Sequence, residues 1–477
     1  MSLVHTKAPL FAFLLSLMVL VHFLGSSALP AATPILLGTG RRPGNQDQPR
    51  ARRVLEVLGR TLREVTRLET SNSSGGNNMV SSSTSTKFSM AQFEFTLDLY
   101  LAFVRVVECR EENIIFSPVS IATVLAPLLL TADWTSQIAQ QLKHVLHYHD
   151  LTQEEVAEIQ STLLATLAHT YYHRSLRTAI TILLQKGVAN GEIEELNRYL
   201  DGGVHEMDFG NHSSSLSFVN QLVWRETRGS VDNTLVSAPP VEAVALAVVA
   251  VFFSGQWLQK FDHNLTFDKG LFYLNTEDRF EIPMMVGKYK LPLGYDPELE
   301  VRILELPYED KRVSMFILLP DHPDHGLAHL EANITSENIK SIFSTLKEET
   351  VNLRLPRFRV DVTPPLAAAL QSMGLTEVIA HHWNGNSETP SSKDDARNYD
   401  PHSDIFLSDV VHRVVLEVRE SGGEISKLTS EVNERIGTFG DKYFEVDHPF
   451  IFFLWDYLTS SILVMGRIVR PTPIIET

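Results

Sequence analysis

From Lys87 to Thr477 the chain runs on with no obvious linker and no solenoid-type repeat, and this continuity constrains its fold more than any other feature. Chain length alone suggests roughly two or three domains, but an undivided stretch of this size must bury one large core. Phe88, Phe95, Leu99 and Phe103 line one side of an amphipathic helix over 88–103. Thr152-Gln153-Glu154-Glu155 is a capping box, with Thr152 as the cap and Glu155 three residues on. Residues 313–319 and 351–358 read as strands: short, rich in β formers, and bounded by Pro or charged turns. Helices come early and strands late, so the pattern predicts a single α+β domain over 87–477.

The segment before it differs in kind. Residues 29–86 contain Gly, Pro, Arg, Asn and the tract Ser81-Ser82-Ser83-Thr84-Ser85-Thr86, and their composition predicts a flexible N-terminal extension. A short helix fits 54–68, where Val54, Leu55, Val57, Leu58, Leu62, Val65 and Leu68 recur at helical spacing. Just ahead stands Arg50-Ala51-Arg52-Arg53, readable either as a furin-type processing site ending at Arg53 or as a solvated basic cluster. Residues 1–28 have the layout of a signal peptide: Lys7, an apolar stretch from Leu10 to Leu24, and the small residues Ser26-Ser27-Ala28. The stretch is short for a membrane span and His22 interrupts it. A secreted, extracellular protein is expected, with no membrane attachment after signal removal. Sequons at Asn72, Asn211, Asn264 and Asn333 are the expected glycosylation sites of such a glycoprotein. Cys109 is the single cysteine, so no intramolecular disulfide can form. Its place beside a hydrophobic helix predicts a buried thiol.

A formal net charge of -17 disfavours nucleic acid and anionic membrane as partners. The chain has no Gly-x-Ser-x-Gly elbow, no His-Glu-x-x-His helix and no Gly-x-x-x-x-Gly-Lys loop. His169 and His173 stand four apart with no further ligand pattern, and His144, His147 and His149 read as surface residues. Gly38-Thr39-Gly40 lies in the arm, away from any strand-to-helix junction. No catalytic residue, metal site or cofactor is expected, and the chain is not expected to be an enzyme.

Ordered blocks across the domain carry a resemblance. They begin with Asn113-Ile114-Ile115-Phe116-Ser117-Pro118-Val119-Ser120-Ile121. Phe218-Val219-Asn220 follows, with Thr227 and Gly229, then Phe253-Ser254-Gly255-Gln256-Trp257 and Pro283-Met284-Met285. Leu304-Glu305-Leu306-Pro307-Tyr308, Ile317-Leu318-Leu319-Pro320, Leu355-Pro356-Arg357-Phe358 and Met373-Gly374-Leu375 come next. The last are His448-Pro449-Phe450-Ile451-Phe452-Phe453 and Ser461-Ile462-Leu463-Val464-Met465-Gly466-Arg467. In this order, over about residues 88–471, they resemble the serpin family of serine-protease suicide inhibitors. The resemblance implies three β-sheets, eight or nine helices, and an exposed reactive-centre loop near the C-terminus. In inhibitory members a protease cuts the loop, which then inserts as a new strand into the largest sheet and carries the trapped protease with it. The uncut fold is strained and kinetically stable.

By the same resemblance the loop runs from Glu420 to about Phe444, with its hinge at Glu420-Ser421-Gly422-Gly423-Glu424-Ile425-Ser426-Lys427-Leu428-Thr429. Inhibitory members have a Glu-Glu-Gly-Thr-Glu followed by alanines. Glu420, Gly422 and Glu424 match, but Ile425, Lys427 and Leu428 replace the alanine run. On the family register, Gly423, Ile425, Lys427 and Thr429 would face the core of the sheet after insertion, because strand side chains alternate. Ile425 overfills a packed layer, at roughly 1–3 kcal/mol. An unpaired Lys427 ammonium there costs on the order of several kcal/mol. A barrier raised by about 3 kcal/mol slows insertion roughly a hundredfold, so hydrolysis would free the protease first. The scissile bond falls near Ile436-Gly437, with Arg435-Ile436 the bond that suits a trypsin-like pocket. Ser117, Ser120 and His412 fill three positions of the family's sheet-opening switch, Val249 replaces its Asn, and Pro127 would kink the second helix.

The expected function is a secreted serpin, weakly inhibitory or non-inhibitory, whose partner is a small ligand or a receptor. The alternative is an active suicide inhibitor of an extracellular trypsin-like serine protease, cut near Arg435, Ile436 and Gly437. A third reading is a precursor whose arm is released at Arg53. A monomer is expected.

Overall fold

The computed structural model describes residues 82–107, 109, 111–168, 175–187, 192–379, 407–420 and 442–474. They belong to one compact unit.

Helix α1 (Ser82–Val106) buries the expected stripe of Phe88, Phe95, Leu99 and Phe103. It starts inside the serine tract, because its first turns have a partner elsewhere in the chain. Thr84 Oγ1 and Lys87 Nζ donate to Glu155 at 3.0 and 3.2 Å. Helix α2 (Pro118–Thr131) is capped by Ser117 and carries Pro118 at its start, where no backbone donor is needed. Helices α3 (Gln137–Val145) and α4 (Gln153–Ala168) follow. The capping box on α4 is reciprocal: the Glu155 N–H donates to Thr152 Oγ1 at 3.2 Å, and the Thr152 N–H donates to Glu155 Oε2 at 2.9 Å. The remaining helices are α5 (Glu192–Leu200), α6 (His212–Glu226), α7 (Gly326–Ala332), α8 (Ser336–Ser344) and α9 (Leu366–Ser372), nine among the described residues.

Helix α2 runs unbroken through Pro127. A proline removes the bond its N–H would give to the carbonyl four residues back, here Thr123. Gln160, on α4, supplies the missing donor: its side-chain amide reaches the Thr123 carbonyl at 2.9 Å and the Tyr199 carbonyl at 2.9 Å. The sequence predicts a disturbed helix; packing against α4 compensates for the lost bond.

The strands are β1 (Ile114–Phe116), β2 (Leu176–Gln185), β3 (Val204–Met207), β4 (Ala245–Phe253), β5 (Phe267–Tyr273), β6 (Arg279–Asp296), β7 (Val301–Pro307) and β8 (Val313–Pro320). After them come β9 (Lys347–Pro356), β10 (Phe358–Val362), β11 (Asp409–Val418), β12 (Lys442–Glu445), β13 (Phe450–Asp456), β14 (Ser461–Ile468) and β15 (Thr472–Pro473). One sheet has the order β15-β10-β11-β4-β2-β3. The other has the order β1-β14-β13-β8-β7-β6-β9-β12, with β5 also on β6. That second sheet is two arrays sharing one long strand: β6 pairs with β7 through Leu293–Asp296 and with β9 through Met284–Leu293. The expected three-sheet plan is therefore present, with two of its sheets continuous through β6.

Strand β4, in the middle of the six-stranded sheet, is buried on both faces. Along β4, Ala245, Ala247, Val249, Val251 and Phe253 enter the main core, while Leu246, Val248, Ala250 and Phe252 enter a second core. Val219 and Val223 of α6 close that second core. A two-sided burial explains why β4 reads as a continuous apolar run instead of an alternating one.

Candidate functional site

Strand β11 pairs directly and in parallel with β4, from Asp409↔Leu246 to Leu416↔Phe253. No strand stands between them. The flanking contacts, β4 with β2 and β11 with β10, are antiparallel. A segment that turned back after β11 would run antiparallel to it. The β10 side is occupied, so such a segment can enter only between β11 and β4. There it would exchange one parallel contact for two antiparallel ones, which pair slightly better per residue. The β4–β11 contact is thus a closed seam that the chain's own next segment could open.

Two polar clusters hold this seam. Beneath it, the Ser117 backbone N–H donates to His412 Nε2 at 2.9 Å, so that nitrogen is an acceptor. Nδ1 must then carry the proton, and it donates to the Val249 carbonyl at 2.9 Å. The His412 ring thereby ties β11 to β4 and to the start of α2. Ser117 Oγ donates to the Leu463 carbonyl at 2.7 Å and lies 2.8 Å from Ser120 Oγ. Burial pushes the His412 imidazole down to about 4, with the Val249 bond acting weakly in the other direction, so the ring is neutral. The backbone carbonyl of Val249 takes over a bond at the position where the expected amide side chain is missing.

The second cluster stands where β11 ends. The Trp257 indole N–H donates to the Arg419 carbonyl at 2.7 Å, and the Phe261 N–H donates to the Glu420 carbonyl at 3.2 Å. The Glu420 carboxylate is buried and accepts from Arg357 Nη1 at 3.0 Å and from Thr266 Oγ1 at 2.7 Å. Arg357 is itself 2% exposed, and its Nε donates to the Ile474 carbonyl at 3.0 Å. This is a buried ion pair supported by further hydrogen bonds to Glu420 Oε1 and from Arg357 Nε, the arrangement in which such a pair is tolerable.

After residues 421–441 the chain re-enters as β12, in parallel with Val351–Arg354 of β9. The excursion therefore leaves the six-stranded sheet and ends on the edge of the nine-stranded one.

The sequence profile described as Serpin (serine protease inhibitor) matches residues 90–471. The chain belongs to the serpin family. Leukocyte elastase inhibitor of Sus scrofa is 30% identical over 401 residues, covering 81% of this chain and 100% of that protein. Among solved structures, human thyroxine-binding globulin complexed with thyroxine superimposes with a TM-score of 0.69 at 24% identity, covering 82% of this serpin and all of that chain. Maspin gives 0.68 at 24% identity, with the same coverage. These two likenesses show a shared fold.

Of the residues singled out from sequence, Ser117, Ser120 and His412 do come together beneath the middle of the seam, and Glu420 is anchored just beyond the end of β11. Gly422, Gly423, Glu424, Ile425, Lys427, Arg435, Ile436, Gly437, Asn72 and Arg53 lie outside the described residues. Asn211 and Asn264 are exposed and Asn333 is half-buried. Cys109 corrects an expectation: it is exposed. Helix α1 stops at Val106, so Cys109 falls in the connection to β1, where its carbonyl accepts from the Glu112 N–H at 3.3 Å and Arg467 Nη2 at 3.2 Å. His144 and His149 are exposed and His147 is half-buried against Asp98, at 2.8 Å. Among the described residues no group of three or more His, Cys, Asp or Glu is arranged to hold a metal ion.

The sequence carries no sign that Arg357 and Thr266 are partners of Glu420, or Trp257 of Arg419. Leu355-Pro356-Arg357-Phe358 stood out as a family block, but nothing local marks Arg357 as the partner of a glutamate 63 positions on.

Proposed function

We propose that this serpin is a secreted protein that extracellular trypsin-like proteases cut in the reactive loop and then escape, so that it acts as a substrate more than as a trap. One observation carries this reading. The core-facing side of the seam is made by Ala245, Ala247, Val249, Val251 and Phe253 of β4 and by Val410, His412, Val414, Leu416 and Val418 of β11. None of these ten can neutralise a cation; the one titratable group, His412, is a neutral ring with both nitrogens engaged. A strand that enters with Lys427 facing this layer brings an ammonium into it without a counter-ion, which costs on the order of several kcal/mol. Ile425 adds bulk to the same layer. Insertion then loses its race with hydrolysis of the acyl-enzyme.

The signal-like residues 1–28 and the exposed sequon residues Asn211 and Asn264 support export.

Incubation of the secreted protein with trypsin-like proteases tests the proposal on a denaturing gel. Cleavage at Arg435-Ile436 or Ile436-Gly437 with no boiling-resistant complex is the expected result. A complex that survives boiling as the main product would overturn it.

A further inference from the structure

The sequon at Asn264 is built into the hinge. It occupies the 3-10 turn His263–Leu265, capped by Asp262, whose carboxylate accepts from the Asn264 backbone N–H at 2.9 Å. The third sequon residue, Thr266, turns inward and gives its hydroxyl to Glu420 at 2.7 Å. The first, Asn264, is exposed, and its side-chain amide donates to Asp262 at 3.0 Å. An amide nitrogen has two hydrogens, so one can be replaced by a sugar while the other keeps the Asp262 bond.

Beside Asn264 lies exposed apolar surface: Leu265 is 45% and Phe267 60% exposed. Phe267 follows Asn264 by three positions, so its Cα lies within about 11 Å, inside the span of the first sugars of an N-linked glycan. The other two described sequons differ. Asn211 caps α6, and Asn333 is half-buried, with its amide on the His329 carbonyl. Neither has an exposed large apolar residue next to it along the chain.

We propose that Asn264 carries an N-linked glycan whose inner sugars cover Leu265 and Phe267, screening the root of the reactive loop. The attachment happens before folding, because in the folded chain the Thr266 hydroxyl is committed to Glu420. The proposal rests on the secreted reading, since only an exported chain meets the glycosylating machinery.

The test uses the full chain expressed in a mammalian secretory line. Enzymatic release of N-glycans in heavy-oxygen water converts each occupied Asn to labelled Asp, read by peptide mass spectrometry. Label at Asn264 in most molecules is expected. Label at Asn211 or Asn333 but not at Asn264 overturns the proposal and leaves the secreted reading standing; a chain that is not exported and carries no label overturns both. The covering role has its own readout. Asn264→Gln should raise the binding of a hydrophobic fluorescent dye at least twofold, whereas Asn211→Gln should not. If Asn264 is occupied and dye binding stays equal in the two variants, the sugars do not cover Leu265 and Phe267.

Discussion

His412 illustrates how much one neutral ring can decide. Its protonation would put a hydrogen on Nε2, facing the Ser117 N–H that now donates to it. The folded value near 4 lies below the ordinary 6.5, so between those limits the unfolded chain binds the extra proton and the folded chain does not. The contribution to stability is complete above pH 6.5 and is lost as pH falls towards 4, up to about 3 kcal/mol. Urea unfolding midpoints measured across that range should fall for the parent chain, and fall less for His412→Gln, which keeps an acceptor and a donor but cannot be protonated. Equal pH slopes in the two would contradict this role. Arg357 sets a second residue-scale expectation. Arg357→Met strands the buried Glu420 carboxylate, at a cost of about 3–5 kcal/mol. Hydrogen exchange at the Phe261 amide, which holds the Glu420 carbonyl, should speed up at least tenfold; unchanged protection would show that the ion pair does not secure the hinge.

At the scale of elements, the clearest dependence is that of α2 on α4. Gln160→Leu leaves the Thr123 carbonyl, already deprived of a donor by Pro127, without its partner, and should cost about 1–3 kcal/mol. Pro127→Ala restores a backbone donor, so in a double-mutant cycle it should recover part of that loss. Additive effects would mean that the amide serves the Tyr199 carbonyl alone. Such partnerships mark the limit of what was legible in sequence. The stripe of α1, the Thr152–Glu155 cap, strand β8 and most of β9 are readable because their signals are local periods and short spacings, although the strand expected over 351–358 breaks at Arg357 and Phe358 opens β10. Gln160 with Thr123, Arg357 with Glu420, and Thr266 with Glu420 join positions 37, 63 and 154 apart, and a buried polar pair leaves no periodicity. The switch residues were found only through the family resemblance. Nearness to a helix in sequence does not place Cys109 inside it; the helix ends three residues sooner.

For the whole molecule, the seam between β4 and β11 is where fold and function meet. Its parallel pairing is the weaker kind, its core-facing layer is apolar apart from one neutral ring, and a few hydrogen bonds hold it at His412, midway along the pairing, and just past the end of β11. Opening it requires breaking those bonds; filling it requires a strand whose core-facing side chains suit an apolar layer. On the proposed register, small residues would enter readily, whereas Ile425 and Lys427 would not. The most direct measurement is the number of serpin molecules consumed per protease molecule inactivated, compared between the parent chain and an Ile425→Ala/Lys427→Ala variant. The account predicts that the parent chain is almost entirely cleaved and released, and that the variant shifts at least tenfold towards stable complex. A parent chain that already inactivates protease near one to one, or a variant that partitions as the parent does, would contradict it.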